Sequence, residues 1–414
     1  MTNTKVTTKE RSWIMYDWAN SAFATTVMAG FFPLFFQKYW SMNENTVDST
    51  SRLGFVLSMS GLIATIITLI LGPATDFHGT RKRWTLVFGL FGIVATFLLG
   101  FFDAGEWQGP LLLYSIALTG FSLSCNFYDS LLPHVVSDSS RMNKISSMGY
   151  SFGYLGGGVL FLFNVIMYVK PEIFGFADGP AAVKVSFILA ALWWLMFSIP
   201  FIRNVSENKS AGAEFLATRE IVELFKKAWR NKRLFYFLLA FWFYIDGVYT
   251  VMSMAVDFGA GIGLGGPHLM GALLLTQFVA FPFTLLTGKL SERFAPEKIL
   301  RFLIGAYIIA VICASQMTQA WEFFALAFMI GAAQGGVQSL SRSLLGNLVP
   351  AGESGRWYAL MNVVGRFAAI LGPFLVGLVT QLTDSHRWGI VSIAILLTLG
   401  IFLLSKSMQY RNLA

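Results

Sequence analysis

Apolar runs of roughly eighteen residues or more recur from one end of this chain to the other, each long enough to cross a hydrocarbon layer about 30 Å thick as a helix. Open strand edges facing lipid would leave amides unsatisfied, so runs of this kind are helices. Twelve spans are predicted: residues 13–40, 53–76, 84–103, 110–134, 144–168 and 182–202, then 233–257, 267–290, 298–317, 321–348, 355–382 and 387–405. Of the 414 residues, 55% are hydrophobic and 13% charged, against about 25% charged in a soluble domain. Little is left for a separate globular module. The segment before the first span is polar, and that span is too long for a signal peptide and lacks a small-residue cleavage site, so it is expected to be kept.

Charge sets the expected topology. Of the 30 Lys and Arg, five (Lys38, Arg52, Lys170, Lys184 and Arg387) fall on one side and two (Arg342 and Arg366) fall within spans. The other 23 lie on the side of the N-terminus. Basic residues mark cytoplasmic connections, so both termini are expected in the cytoplasm of a multi-pass protein, with a bacterial inner membrane as its setting. The net charge of +8 is scattered between spans rather than gathered on a soluble face, which argues against nucleic acid. Cys125 and Cys313 both sit in apolar runs and are expected to be free thiols.

The longest connection divides the chain into an N-terminal bundle (1–202), a cytoplasmic linker (203–232) and a C-terminal bundle (233–414). Within the linker, Ile221, Leu224, Phe225, Ala228 and Trp229 repeat at helical spacing opposite Lys226, Lys227 and Arg230. That pattern predicts an amphipathic helix suited to the bilayer surface, as a strut or as a lipid-sensing element. The halves also repeat weakly. The fourth span ends in Leu131-Leu132-Pro133 and the tenth in Leu348-Val349-Pro350, while Gly153-Tyr154 and Gly156-Gly157-Gly158 of the fifth correspond to Gly365-Arg366 and Gly372-Pro373 of the eleventh. Parallel six-helix repeats produce such matches.

Between the second and third spans stands Gly72-Pro73-Ala74-Thr75-Asp76-Phe77-His78-Gly79-Thr80-Arg81-Lys82-Arg83, which resembles the signature loop of the major facilitator superfamily. The resemblance implies an all-α membrane protein of the major facilitator fold, with 12 transmembrane helices in two pseudo-symmetric six-helix bundles. It implies gating roles as well. Gly72 would allow close helix approach, Gly79 would make the turn, and Asp76 would face the N-terminal end of the eleventh helix, with Arg81 and Lys82 completing the loop. A plain topological role is equally open to Arg81, Lys82 and Arg83. The second-half counterpart keeps Gly288, Glu292 and Arg293 without a second Gly turn. A narrower resemblance rests on Tyr16-Asp17-Trp18-Ala19-Asn20-Ser21-Ala22-Phe23, Tyr244-Ile245-Asp246-Gly247-Val248-Tyr249 and Gln334 to Arg342. It is to the "unknown major facilitator" family, which includes fungal autophagy-related vacuolar amino-acid effluxers. This implies export of neutral or hydrophobic amino acids; protons as the coupling ion and a monomer in the bilayer are expected as well.

Facilitators line a central cavity with their first, fourth, seventh and tenth helices, so the resemblance makes polar residues there the binding candidates. They are Asn20, with Asp17 one turn before it as a gate or interface anchor; Asn126 and Asp129; Tyr244, Asp246 and Tyr249; and Gln334, Gln338 and Arg342, which share one helix face. Arg366 joins them from the eleventh span. Asp246 and Arg366 left unpaired in the membrane would together cost roughly 5 to 7 kcal/mol. Their depths permit them to meet, either as a structural ion pair or as part of a substrate site. A guanidinium holds a carboxylate in a bidentate fork, and an acid with tyrosine faces holds an ammonium, so the set suits a zwitterion. Taking a carboxyl out of water favours its neutral form, which makes Asp129 and Asp246 the candidates to carry a proton.

No paired histidines, Cys/His metal spacing, nucleophile with an evident base or nucleotide motif is present, so neither an enzyme, a metal site, a cofactor nor ATP-driven transport is expected. A drug or peptide facilitator, or a receptor or channel built on the same fold, remains the alternative reading.

Overall fold

A computed structural model describes residues 6–136, 142–207, 218–291, 293–349 and 370–410, together with 357, 360, 361, 364, 365, 367 and 368. Among these the protein is helical throughout, and eleven helices are long and apolar enough to cross a membrane. In chain order they are α1 (Thr8–Trp40), α2 (Thr46–His78), α3 (Arg81–Leu98), α4 (Gln108–Ser130), α5 (Met142–Val169), α6 (Gly179–Asn204), α7 (Lys232–Gly261), α8 (Gly266–Ser291), α9 (Pro296–Gln316) and α10 (Ala320–Leu348), and then, after the shorter α11 (Leu371–Thr383), α12 (His386–Gln409). Large side chains such as Leu112, Phe302 and Ile395 stay exposed along these helices, as lipid-facing positions require.

Several helix ends are set by local sequence. Thr7 and Glu10 form a reciprocal capping box at α1, Asp178 accepts from the Ala181 N–H at α6, and Asn231 caps α7. Each satisfies amides that an N-terminus leaves without intrahelical partners. The α1 span departs from a regular α-helix in wider π-helical turns over Phe23–Phe31 and Phe36–Trp40. Pro33 lies between them and has no N–H to give to the preceding turn, a known cause of a broken ladder.

The chain forms two compact units, residues 1–42 with 66–216 and residues 43–65 with 217–414. In the first, α1 packs against α5 and α6, and α3 against α4. Its buried centre stacks Trp13 on Tyr128 at 4.4 Å between ring centroids, with Phe201 against Tyr16 at 4.7 Å. In the second, α8 packs on α10 and α7 on α12. The opening turns of α2 belong to this unit and lie close to α11: a Cβ on Gly54 would come 2.5 Å from the Pro373 carbonyl oxygen and 3.1 Å from the Gly377 Cα. Two small residues permit that approach, and Ser58 Oγ adds a hydrogen bond to the Ile370 carbonyl at 2.8 Å.

The expected linker helix is present over Thr218–Arg230. Leu224 and Ala228 are buried, whereas Phe225 and Trp229 are exposed, so the apolar stripe is split between a packed and an open edge. The Ile221 side chain lies outside the described residues.

Candidate functional site

In the first unit the candidates are organised around two tyrosines. Tyr16 donates to Ser124 Oγ, because the Ser124 hydroxyl spends its only hydrogen on the Thr85 carbonyl at 2.7 Å. One bond chain thus joins α1, α4 and α3. One turn nearer the end of α4, the Tyr128 hydroxyl is shared between the Trp13 carbonyl and Asp17 Oδ2, each at 2.9 Å. Asp17 is therefore anchored to α4. Asn20, one turn further along α1, is 4% exposed, and its Nδ2 has no hydrogen-bond partner among the described residues. A buried amide left unpaired costs about 1–3 kcal/mol, and such a group is suited to a ligand or water. Asn126 donates to Thr68 Oγ1 at 3.0 Å, while Asp129, three residues on, is exposed.

The second unit repeats the first motif. Tyr244 of α7 is fully buried and lies 2.6 Å from Ser341 Oγ of α10, whose hydrogen goes to the Val337 carbonyl. Asp246, two residues on, is 1% exposed. Its Oδ1 accepts the Gly372 N–H at 3.0 Å and faces the Thr250 hydroxyl at 3.4 Å. The Thr250 hydroxyl gives its hydrogen chiefly to the Asp246 carbonyl at 2.7 Å, so the described donor to this carboxylate is neutral, an orphan amide at the start of α11, where a helix N-terminus favours negative charge. Glycine is required at 372, because a Cβ there would come 2.8 Å from Asp246 Oδ1 and closer still to Thr250 Oγ1. Arg366 lies outside the described residues. Tyr249 is exposed; Gln334 is buried, with Gln338 and Arg342 half-buried, one helical turn apart along α10.

The loop after α2 turns at Gly79, whose φ of 64° is in the left-handed region that favours glycine. The side chains of Gly72 to His78 lie outside the described residues. Arg81 pairs with Glu207 at 3.0 Å, with side-chain exposures of 8% and 4%. The second oxygen of Glu207 accepts the Lys82 N–H at 3.0 Å, and Lys82 Nζ donates to the Ile202 carbonyl at 2.7 Å. Arg81 and Lys82 thereby tie the start of α3 to the end of α6. Glu207 carries no local signal that would single it out in a basic connection. Sequence reasoning also missed Asp257, His386, Thr50 and Thr46, which the second unit gathers from three helices.

The helical framework has counterparts among solved transporters. A D-xylose-proton symporter superposes with a TM-score of 0.70 at 14% identity, over 96% of each chain. The nucleoside transporter NupG gives 0.67 at 10% identity, over 97% of this chain and 98% of its own. Likeness at such identities establishes the major facilitator fold alone. Within that fold, the model of the "Vacuole effluxer Atg22 like" family matches residues 7–412. An uncharacterised MFS-type transporter of Bacillus subtilis (strain 168), YxiO, is 34% identical over 408 residues, 97% of this chain and 95% of its own. Autophagy-related protein 22 of Saccharomyces cerevisiae (strain ATCC 204508 / S288c) is 23% identical over 486 residues, 94% of this chain and 90% of its own. The chain belongs to the Atg22-like family of major facilitator transporters and is not an enzyme.

Proposed function

We propose that this transporter moves neutral or hydrophobic amino acids by alternating access, exporting them in exchange for protons. The observation that carries this reading is Asp246, a carboxyl 1% exposed in the middle of an apolar helix and held by the neutral Gly372 amide. Such a group alternates between its charged and neutral forms while keeping the Gly372 N–H, which is what a coupling proton needs. Gln334, Gln338 and Arg342 on one face of α10 supply the planar donors that suit a carboxylate. The family relatives support an effluxer, and the lopsided distribution of Lys and Arg supports cytoplasmic termini in a bacterial inner membrane.

The test is uptake of labelled neutral amino acids into proteoliposomes, with and without an imposed pH gradient, comparing wild type with Asp246→Asn. Gradient-driven flux is expected to fall about tenfold or more in the variant, the loss of about 1.4 kcal/mol at the coupled step, while counterflow persists. Equal gradient-driven flux would remove the coupling role. No flux of any amino acid by folded wild type would remove the cargo and leave a drug or peptide facilitator, or a receptor or channel of this fold.

A further inference from the structure

At the end of α7 away from Lys232, side chains from three helices form a line. Asp257 of α7 is fully buried, Thr50 of α2 is 2% exposed, and His386, which opens α12, is 9% exposed. The Thr50 hydroxyl donates to Asp257 Oδ2 at 2.6 Å. His386 Nδ1 lies 3.2 Å from Thr50 Oγ1, and its Nε2 lies 3.1 Å from Thr46 Oγ1. Gly261 makes room for the ring, since a Cβ there would come 2.6 Å from the imidazole.

The proton count follows from the bonding. A hydroxyl has one hydrogen, and that of Thr50 is given to Asp257, so Thr50 Oγ1 accepts from His386 and Nδ1 carries a proton. With Nε2 also protonated and donating to Thr46, an imidazolium and a carboxylate face each other across one hydroxyl with no net charge. A second arrangement holds the same number of protons. The Nδ1–H bond breaks as an O–H bond forms on Thr50, and the original Thr50 O–H breaks as one forms on Asp257 Oδ2. That leaves a neutral acid and a neutral imidazole protonated on Nε2, with the two hydrogen bonds through Thr50 reversed and the one to Thr46 kept. Removing one proton from this set, the Nε2–H of the first arrangement, leaves the Asp257 carboxylate beside a neutral imidazole protonated on Nδ1, a buried charge that is costly.

We propose that Asp257, Thr50 and His386 form a site that binds one exchangeable proton, held by the carboxylate and the imidazole facing each other through the Thr50 hydroxyl. It is separate from Asp246, which lies about 16 Å back along α7 at 1.5 Å per residue. Among the described residues, the other titratable groups at this end are engaged or peripheral, and His268 at the start of α8 is exposed. Glu44 and Arg52 pair at 3.0 Å, Arg387 is directed at the Ser315 and Met317 carbonyls, and Glu322 accepts the Thr318 and Gln319 N–H groups. Asp48 is half-buried and Asp384 exposed, and α11 carries no charge. Use of this proton in coupling rests on the transport reading above, whereas its binding does not.

Nitrogen NMR of ¹⁵N-histidine-labelled protein in lipid nanodiscs tests the binding without any flux. The chain has four histidines, and His386→Gln assigns the signal. In wild type, His386 is expected to hold a proton on Nε2 at low pH and to change to Nδ1 alone as the pH rises. Asp257→Asn should abolish that change or move it down by about one pH unit or more, the effect of losing a nearby opposite charge. Thr50→Val should disturb the change and Thr50→Ser keep it, which separates loss of the hydroxyl from loss of the fold. A His386 signal indifferent to pH in wild type, or one that changes at the same pH with and without Asp257 and the Thr50 hydroxyl, overturns the proposal.

Discussion

The two units share a tyrosine–serine clamp and differ in what they do with the acid beside it. The register that aligns Leu131-Leu132-Pro133 with Leu348-Val349-Pro350 also carries Ser124 onto Ser341, and each serine meets a buried tyrosine, Tyr16 or Tyr244. The repeat kept this contact where much of the surrounding sequence diverged. The neighbouring carboxylates did diverge. Asp17 is half-buried and fixed by a phenol from α4, whereas Asp246 is buried and held by the first amides of α11. One acid pins two helices together, and the other is poised at a helix end where its charge state is felt by the backbone.

Ion pairs at the starts of the corresponding helices α3 and α9 give the largest expected contrast. Arg81 and Glu207 are almost fully enclosed at 3.0 Å, while Arg233 and Glu297 are 3.4 Å apart with Arg233 partly exposed. Removing a carboxylate from an enclosed guanidinium costs more than removing one from a solvated pair, so Glu207→Ala should destabilise the protein by up to about 3–5 kcal/mol. Glu297→Ala should cost about 1 kcal/mol or less, as partly solvated pairs do. Chemical unfolding in a common detergent measures both, and equal losses would break the contrast.

The clamps themselves come next. Ser124 links three helices through Tyr16 and the Thr85 carbonyl, but Ser341 returns its hydrogen to its own helix at Val337. Ser124→Ala therefore removes an inter-helix bond as well as the acceptor for Tyr16, and should cost about 2–3 kcal/mol; Ser341→Ala should cost about 1–2 kcal/mol, mainly for the stranded Tyr244 hydroxyl. Thermal unfolding of the two variants side by side would detect the difference, and a larger loss at Ser341 would make the second unit's clamp the stronger one.

Long apolar runs made the membrane fold legible, because few alternatives satisfy so many amides in lipid. Asp246 was legible for the same reason, as a charge that an apolar helix does not tolerate without purpose. Its partner was not, since the amide of Gly372 has no side-chain signature and the eleventh span, 355–382 in sequence, is described without a break only from Ile370. Asp129 has the same composition signal as Asp246 yet is exposed, which burial alone decides. The line from Asp257 to Thr46 was invisible because Thr50 and His386 are ordinary residues more than three hundred positions apart, joined only by tertiary packing.

The smallest expected change in stability belongs to the acids. Asparagine keeps an oxygen that accepts from Tyr128 in Asp17→Asn and from the Gly372 N–H in Asp246→Asn, so in these two bonds each variant loses the part that comes from charge. At a helix N-terminus that part is worth about 0.3–1 kcal/mol at exposed sites and up to about 2 kcal/mol when partly buried. Asp246→Asn also relieves the charge of its desolvation, which offsets the loss. Both variants should therefore unfold within about 1 kcal/mol of wild type, and only Asp246→Asn should lose gradient-driven flux. A loss of flux in Asp17→Asn as well, at unchanged stability, would move the anchored acid of the first unit from a structural to a coupling role and make the two halves equivalent after all.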